Sequence, residues 1–273
     1  MSEPAAPASV IPGQYDPKIA RVFRIIARRM IGKSFHALRF TPGSLDRLDA
    51  LATHDGLVVG CMTHAGWWDP MLGVLLHIER FGPHARDGIA PIDKAVLANV
   101  GIFKKLGLFG IDPDDPASKD AIVSYAVDRL NAAARPTLWI TPQGRFQDPR
   151  AEMEIRPGVS AILSKLTNAR AIVLAIEYPF WDDKKPELLA HIAEIEPPTR
   201  TESTVAWHRS VSSAMKTTAG ELACEAVTRD PSRFEPYMGG GAGDGGKTFF
   251  VYDWWLKATG RSTQDIRTRR AEA

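Results

Sequence analysis

The sequence predicts an α/β fold: a single domain with a mostly parallel or mixed central sheet flanked by helices, plus an N-terminal amphipathic helix. Strand and helix signals alternate along most of the chain. Residues 171–178 (AIVLAIEY) are almost wholly apolar, as in strands buried on both faces. The length of 273 residues, with 44% hydrophobic and 24% charged, fits one large folded domain and excludes a disordered or fibrous chain.

Residues 1–15 lack the basic start and apolar run of a signal peptide and are expected to form a flexible tail. A helix is predicted over 16–34, with Asp16 as N-cap and Pro17 as the first helical residue. Residues 17–33 hold six basic residues and no acids, although the whole chain carries a formal charge of only +2. At about 100° per residue, Ile19, Phe23, Ile26 and Met30 share one face. Lys18, Arg21, Arg24, Arg28, Arg29 and Lys33 occupy the opposite half, with Val22 and Ile25 intruding. Such a helix can lie in a membrane interface, with Phe23 turned to the acyl chains and Arg24, Arg28 and Arg29 near anionic headgroups. Its alternative is a terminal helix docked on the domain by its apolar face. The rest of the chain is net acidic, so nucleic acid is not an expected partner.

The domain is predicted to occupy 35–273. Strands are expected at 35–40, 56–63, 136–141, 171–178 and 188–196, with short extended pieces at 88–93 and 107–112. Helices are expected at 70–81, at 118–134 with Ser118 as N-cap, at 158–169, and over roughly 200–226. A loop rich in Pro and Gly follows, including GGGAGDGG at 239–246. No run of 18 apolar residues predicts a spanning helix.

Two cysteines far apart, Cys61 and Cys224, exclude a disulfide scaffold and a multi-cysteine zinc site. There is no H-E-x-x-H, so no metal is expected. No G-x-S-x-G elbow is present, and Cys61 sits inside an apolar strand, so a nucleophilic hydrolase is disfavoured. Gly241, Gly246, Lys247 and Thr248 satisfy a phosphate-loop pattern. Only 25 residues follow Thr248, too few for the remaining units of a nucleotide-binding sheet, and a turn is the expected reading.

Two segments follow strands directly, where α/β proteins place their sites. The first is His64-Ala-Gly-Trp-Trp-Asp69: the Asp can hold one ring nitrogen and leave the other as a general base. Trp67 and Trp68, between them, could line a substrate channel or pack the core. The second is Thr141 to Asp148, where Arg145 could hold an anion.

The order of these motifs resembles the glycerolipid acyltransferases of the 1-acylglycerol-3-phosphate acyltransferase type. The family's H-x4-D matches His64 and Asp69, and its second block resembles 94–111, with Lys94, Phe103 and Gly107 in corresponding places. Its third block, usually F-P-E-G-T-R, resembles Thr141-Pro142-Gln143-Gly144-Arg145, and its fourth resembles Arg156-Pro157-Gly158 with the strand 171–178. The resemblance covers roughly 35–180 and implies transfer of a fatty acyl group from acyl-CoA or acyl-carrier protein to a lipid hydroxyl. His64 would be the general base and Asp69 would orient it, with no cofactor beyond the thioester co-substrate. Lys94, Lys104, Lys105, Gln143, Gly144, Arg145, Arg156, Gly158, Trp67 and Trp68 would contact substrates. The protein would be peripheral at the cytoplasmic membrane face. Its rival is a non-enzymatic lipid-binding protein of the same fold. Gln143 stands where the family has Glu, Arg145 sits one place early, and Pro113 lies where the family tends to carry an Arg. These departures fall where the family binds acceptor phosphate. They turn the expectation from lysophosphatidic acid toward another hydroxylated lipid, such as a lyso-ornithine lipid or a glycosylated terpenoid.

Overall fold

The computed structural model describes residues 9–112, 114–115 and 119–240. Pro113, Ser118 and the phosphate-loop pattern from Gly241 to Thr248 lie outside the described residues. Among those described, β1 (Ala37–Phe40), β2 (Val58–Met62), β3 (Asp87–Asp93), β4 (Leu108–Ile111), β5 (Pro136–Ile140), β6 (Arg170–Glu177), β7 (Leu188–Ile195) and β8 (Glu235–Gly239) form one sheet, in the order β4-β3-β5-β2-β6-β7-β1-β8. The helices are α1 (Pro17–Ser34), α2 (Ser44–Thr53), α3 (Trp68–Leu76), α4 (Lys94–Asn99), α5 (Ile102–Lys105), α6 (Lys119–Ala132), α7 (Gly158–Leu163) and α8 (Thr204–Ala226). The mixed α/β sheet is as the sequence predicts. β2 to β6 are mutually parallel, β7 and β8 each meet a neighbour antiparallel, and β1 runs parallel to β7.

Alternation along the central strands sorts the core into two layers. Val58 and Met62 of β2 join Ile172, Leu174 and Ile176 of β6 under α1, α2 and α3. Val59 and Cys61 join Ala171 and Val173 under α6, α7 and α8. Cys61 is fully buried and burial pushes its thiol up to about 12, so it is an inert core residue. Gly60, between them, is required by close approach: a Cβ there would fall 2.4 Å from the Trp139 ring of the neighbouring strand.

Several elements differ from expectation. The helix predicted over 70–81 is α-helical to Leu76 and continues as a π-helical turn, His77–Phe81. Segment 158–169 is helical only to Leu163. β8 lies in what read as a loop, because Pro236 argues against a strand in sequence. At the sheet edge, beside a register shift against β1, its missing N–H is tolerated. Residues 9–15 are docked where a flexible tail was expected: Val10 is buried, and Ile11 exchanges both main-chain hydrogen bonds with Gly110 of the edge strand β4.

The N-terminal helix forms with the expected N-cap, the Asp16 carboxylate accepting from the Lys18 and Ile19 N–H groups. Its buried stripe is Ala20, Phe23, Ala27 and Ile31, with Ile19 and Met30 partly buried. Ile26, placed on the inward face by the sequence pattern, is 43% exposed. The two alanines explain the rotation, since a small side chain lets the helix sit close on α3 and the π turn. Arg28 pairs with Glu79 at 2.8 Å. No described helix is long and apolar enough to cross a membrane.

His77 sits at the core of this arrangement. Its Nδ1 accepts from the Trp139 indole at 3.3 Å, and burial pushes its pKa down to about 4. The unfolded chain, with a histidine near 6.5, therefore binds more protons than the folded one between these values. Folding stability is full above about pH 6.5 and declines toward pH 4, by about 3 kcal/mol from this group alone. Chemical denaturation at pH 7 and pH 4.5 tests this. The loss between the two is expected to be smaller in His77→Gln, and an equal loss would refute the assignment.

Candidate active site

The topology creates a crevice at one edge of the sheet. β2 and β5 are adjacent and parallel, yet the helix after β2 (α3) packs on one face and the helix after β5 (α7) on the other. Their outgoing chains part at the carboxyl edge, which is where open α/β sheets bind ligands. His64 follows β2 and Thr141–Gln147 follows β5, so both sequence-predicted motifs meet in this crevice.

The predicted catalytic pair is formed. His64 Nδ1 lies 3.1 Å from Asp69 Oδ2, and the same oxygen accepts the Gly66 N–H at 2.8 Å. Asp69, in the first turn of α3, is fully buried, and its Oδ1 accepts the Tyr178 hydroxyl. Burial first, then the Asp69 charge and the hydrogen bond to it, raise the Tyr178 pKa, so this phenol is held as a donor. With its acceptors fixed on Asp69, the imidazole carries its proton on Nδ1. Nε2 keeps its lone pair and has no protein hydrogen bond among the described residues.

The loop after β5 grips the histidine by its main chain. The His64 N–H donates to Gln143 Oε1 at 2.6 Å, the Gln147 N–H donates to the His64 carbonyl at 2.9 Å, and the Gln143 amide donates to Gln147 Oε1 at 2.7 Å. Gln143 is thus a buried positioning residue, a task an amide performs without adding charge. Gly144 turns the loop at φ +66°, and the Arg156 side chain lies where a Cβ would stand, 2.8 Å away. The Phe146 ring leans on the His64 ring, centroids 4.4 Å apart.

Aromatic packing extends the site. Trp68 meets Trp67 at 5.1 Å and Phe35 at 5.2 Å, and Phe35 stacks on Tyr178. Trp68 is thereby core packing, while Trp67 is 55% exposed at the rim. A cavity of about 280 Å³ opens beside His64, with Thr63, Gln143, Gln147, Glu177 and Lys216 among its walls. A larger, more open hollow of about 680 Å³ lies by Thr41, His191 and Glu221. Both ring nitrogens of His191 are engaged there, Nδ1 by Thr41 and Nε2 by Glu221 at 3.0 Å, so it offers no free base.

Other sequence candidates are placed differently. Lys94 follows β3 at the same carboxyl edge but two strands from β2, paired with Asp112 at 2.7 Å. Lys104 and Lys105 lie in α5, which leads into the amino end of β4, so they stand at the opposite edge and do not join the site. Arg145 is exposed and pairs with Glu154. Gly158 opens α7 at the surface. Sequence reasoning missed Tyr178, Phe146, Gln147 and Glu177. Tyr178 and Glu177 lay hidden in an apolar strand, although a Tyr–Glu pair ending such a strand at the site edge was a usable signal. No family model matches the chain and no curated protein does, so the reading of this site rests on its own geometry.

Proposed function

We propose that the protein is a lipid O-acyltransferase, moving a fatty acyl group from acyl-CoA or acyl-carrier protein to a lipid hydroxyl. The observation that carries this reading is the His64–Asp69 pair with an unengaged Nε2 beside a cavity at the carboxyl edge. As the acceptor oxygen attacks the thioester carbonyl, its proton passes to His64 Nε2. The C–O ester bond forms, the C–S bond breaks, and the departing thiolate recovers that proton from the imidazolium. Asp69, held by Gly66 and Tyr178, stabilises the transient imidazolium. No acyl-enzyme is required, in keeping with the inert Cys61. Holding both substrates in line supplies much of the remaining acceleration.

The acceptor is a membrane lipid in this reading, reached from the cytoplasmic surface. Supporting it, Val22, Ile25 and Ile26 are exposed on the outer face of α1 among Lys18, Arg29 and Lys33. Apolar side chains ringed by cations suit an anionic bilayer surface. Phe23 and Arg28 serve it less directly, since Phe23 is buried and Arg28 is paired, while Arg24 is exposed.

The test is thiol release from a long-chain acyl-CoA, and from acyl-carrier protein, with acceptors presented in anionic vesicles. Acceptor-dependent release together with co-sedimentation, the latter weakened in Ile25→Glu/Ile26→Glu, is expected. Vesicle binding without release from either donor would replace this reading with that of a non-enzymatic lipid-binding protein. Binding unchanged in the double variant would remove α1 from it.

A further inference from the structure

Among the described residues that line the cavity beside His64, one ionisable side chain is left without a partner. His64 is held by Asp69, Asp148 by Arg150, and Glu152 by Lys216 at 3.8 Å. The carboxyl of Glu177, at the end of β6, has no hydrogen bond or ion pair to any described residue. By strand alternation it shares the face of Val173 and Ala175, one strand from β2, so it looks into the same cavity as His64. Among the described residues that line the cavity, Lys216 is the one cation, and the Glu152 carboxylate lies 3.8 Å from it at the solvent-exposed side. At about 30 Å³ per water, 280 Å³ has room for roughly nine waters, the bulk of one small headgroup.

We propose that Glu177 selects the acceptor, hydrogen-bonding a second hydroxyl of an uncharged polyhydroxyl headgroup while His64 faces the hydroxyl that reacts. This deepens, and rests on, the acyl-transfer reading of the same site. A half-buried carboxyl discriminates in two directions. It repels a phosphate oxygen, and it rewards a donor placed opposite it. Burial raises the Glu177 pKa, the mark of a carboxyl stripped of part of its hydration, so a hydroxyl that donates to it restores a hydrogen bond the site has taken from water. The exposed Phe146 ring, leaning on His64, offers an apolar face to the C–H side of a sugar ring.

Calorimetric titration of the full-length protein with dodecyl glucoside and dodecyl phosphate, both below their micellar concentrations, tests the inference without turnover. The glucoside is expected to bind at least about tenfold more tightly than the phosphate, the worth of one good hydrogen bond to a carboxylate. Glu177→Ala should lose about that factor for the glucoside, and Glu177→Gln, which keeps shape and hydrogen bonding, should stay within about threefold of wild type. Phosphate binding as tight as glucoside binding would overturn the proposal, as would wild-type glucoside affinity in Glu177→Ala. Glucoside binding that needs Glu177, with no acylation of the glucoside by either donor, would keep the headgroup assignment and refute the acyl-transfer reading.

Discussion

His64→Ala is expected to lower acceptor-dependent thiol release by about a thousandfold, within the range that a positioned general base supplies. The loss should fall on kcat, since the imidazole acts on a proton that moves only during reaction. Asp69→Asn should approach the same loss by another route. An amide there can donate to Nδ1, which would place the imidazole proton on Nε2 and leave no base facing the acceptor. Asp69 is fully buried, with a Tyr178 hydroxyl and a Gly66 N–H aimed at it, so the replacement also disturbs two donors. Initial-rate kinetics with the acceptor varied would separate kcat from KM. Retention of more than about a tenth of the rate in His64→Ala would refute the base assignment.

The largest stability effect is expected from a residue far from that edge. Arg86 is 1% exposed, and its guanidinium donates to Thr137 Oγ1 at 2.9 Å, to the Gly56 and Pro136 carbonyls at 2.7 and 2.8 Å, and to the His54 carbonyl. Burial, aided by the neighbouring Arg135 charge, pushes its pKa down to about 10, so it is still charged at neutral pH. Arg86→Leu removes four hydrogen bonds at once and strands their acceptors at the amino ends of β2 and β5. The expected cost is about 3–5 kcal/mol, or roughly 10 °C in Tm for a chain of this size. Thermal denaturation at pH 7 reads it directly. A shift below about 3 °C would show that water satisfies those carbonyls equally well.

These two residues mark what the sequence discloses and what it hides. His64 and Asp69 were legible because a turn of five residues ties them in sequence, and an apolar strand before them fixes their edge. Gln143 was legible as a motif position, but its hold on the His64 main chain depends on β2 and β5 being neighbours, which no local pattern encodes. Arg86 gave no signal at all. An arginine in a polar loop reads as solvated until the three carbonyls converging on it are seen. Lys104 and Lys105 were misassigned for the opposite reason. Their motif block runs through α4 and α5 from one edge of the sheet to the other, so positions near in sequence stand at opposite ends. In α1 the hydrophobic pattern was right about the helix and wrong about its rotation, because Ala20 and Ala27 weigh little in hydropathy yet govern how closely a helix can pack.

The Ile11–Gly110 pairing has a consequence for aggregation. β4 ends the sheet on one side, and both hydrogen bonds that Gly110 could offer an incoming strand are taken by Ile11. Among the described residues the other margin is β8, where Pro236 brings no N–H to the ladder. The β4 margin is therefore blunted by a strap of the protein's own chain. A truncation that removes residues 9–16 along with α1 would bare the β4 margin and invite sheet-to-sheet self-association. Altering only the outer side chains of α1 leaves the strap in place and that margin covered.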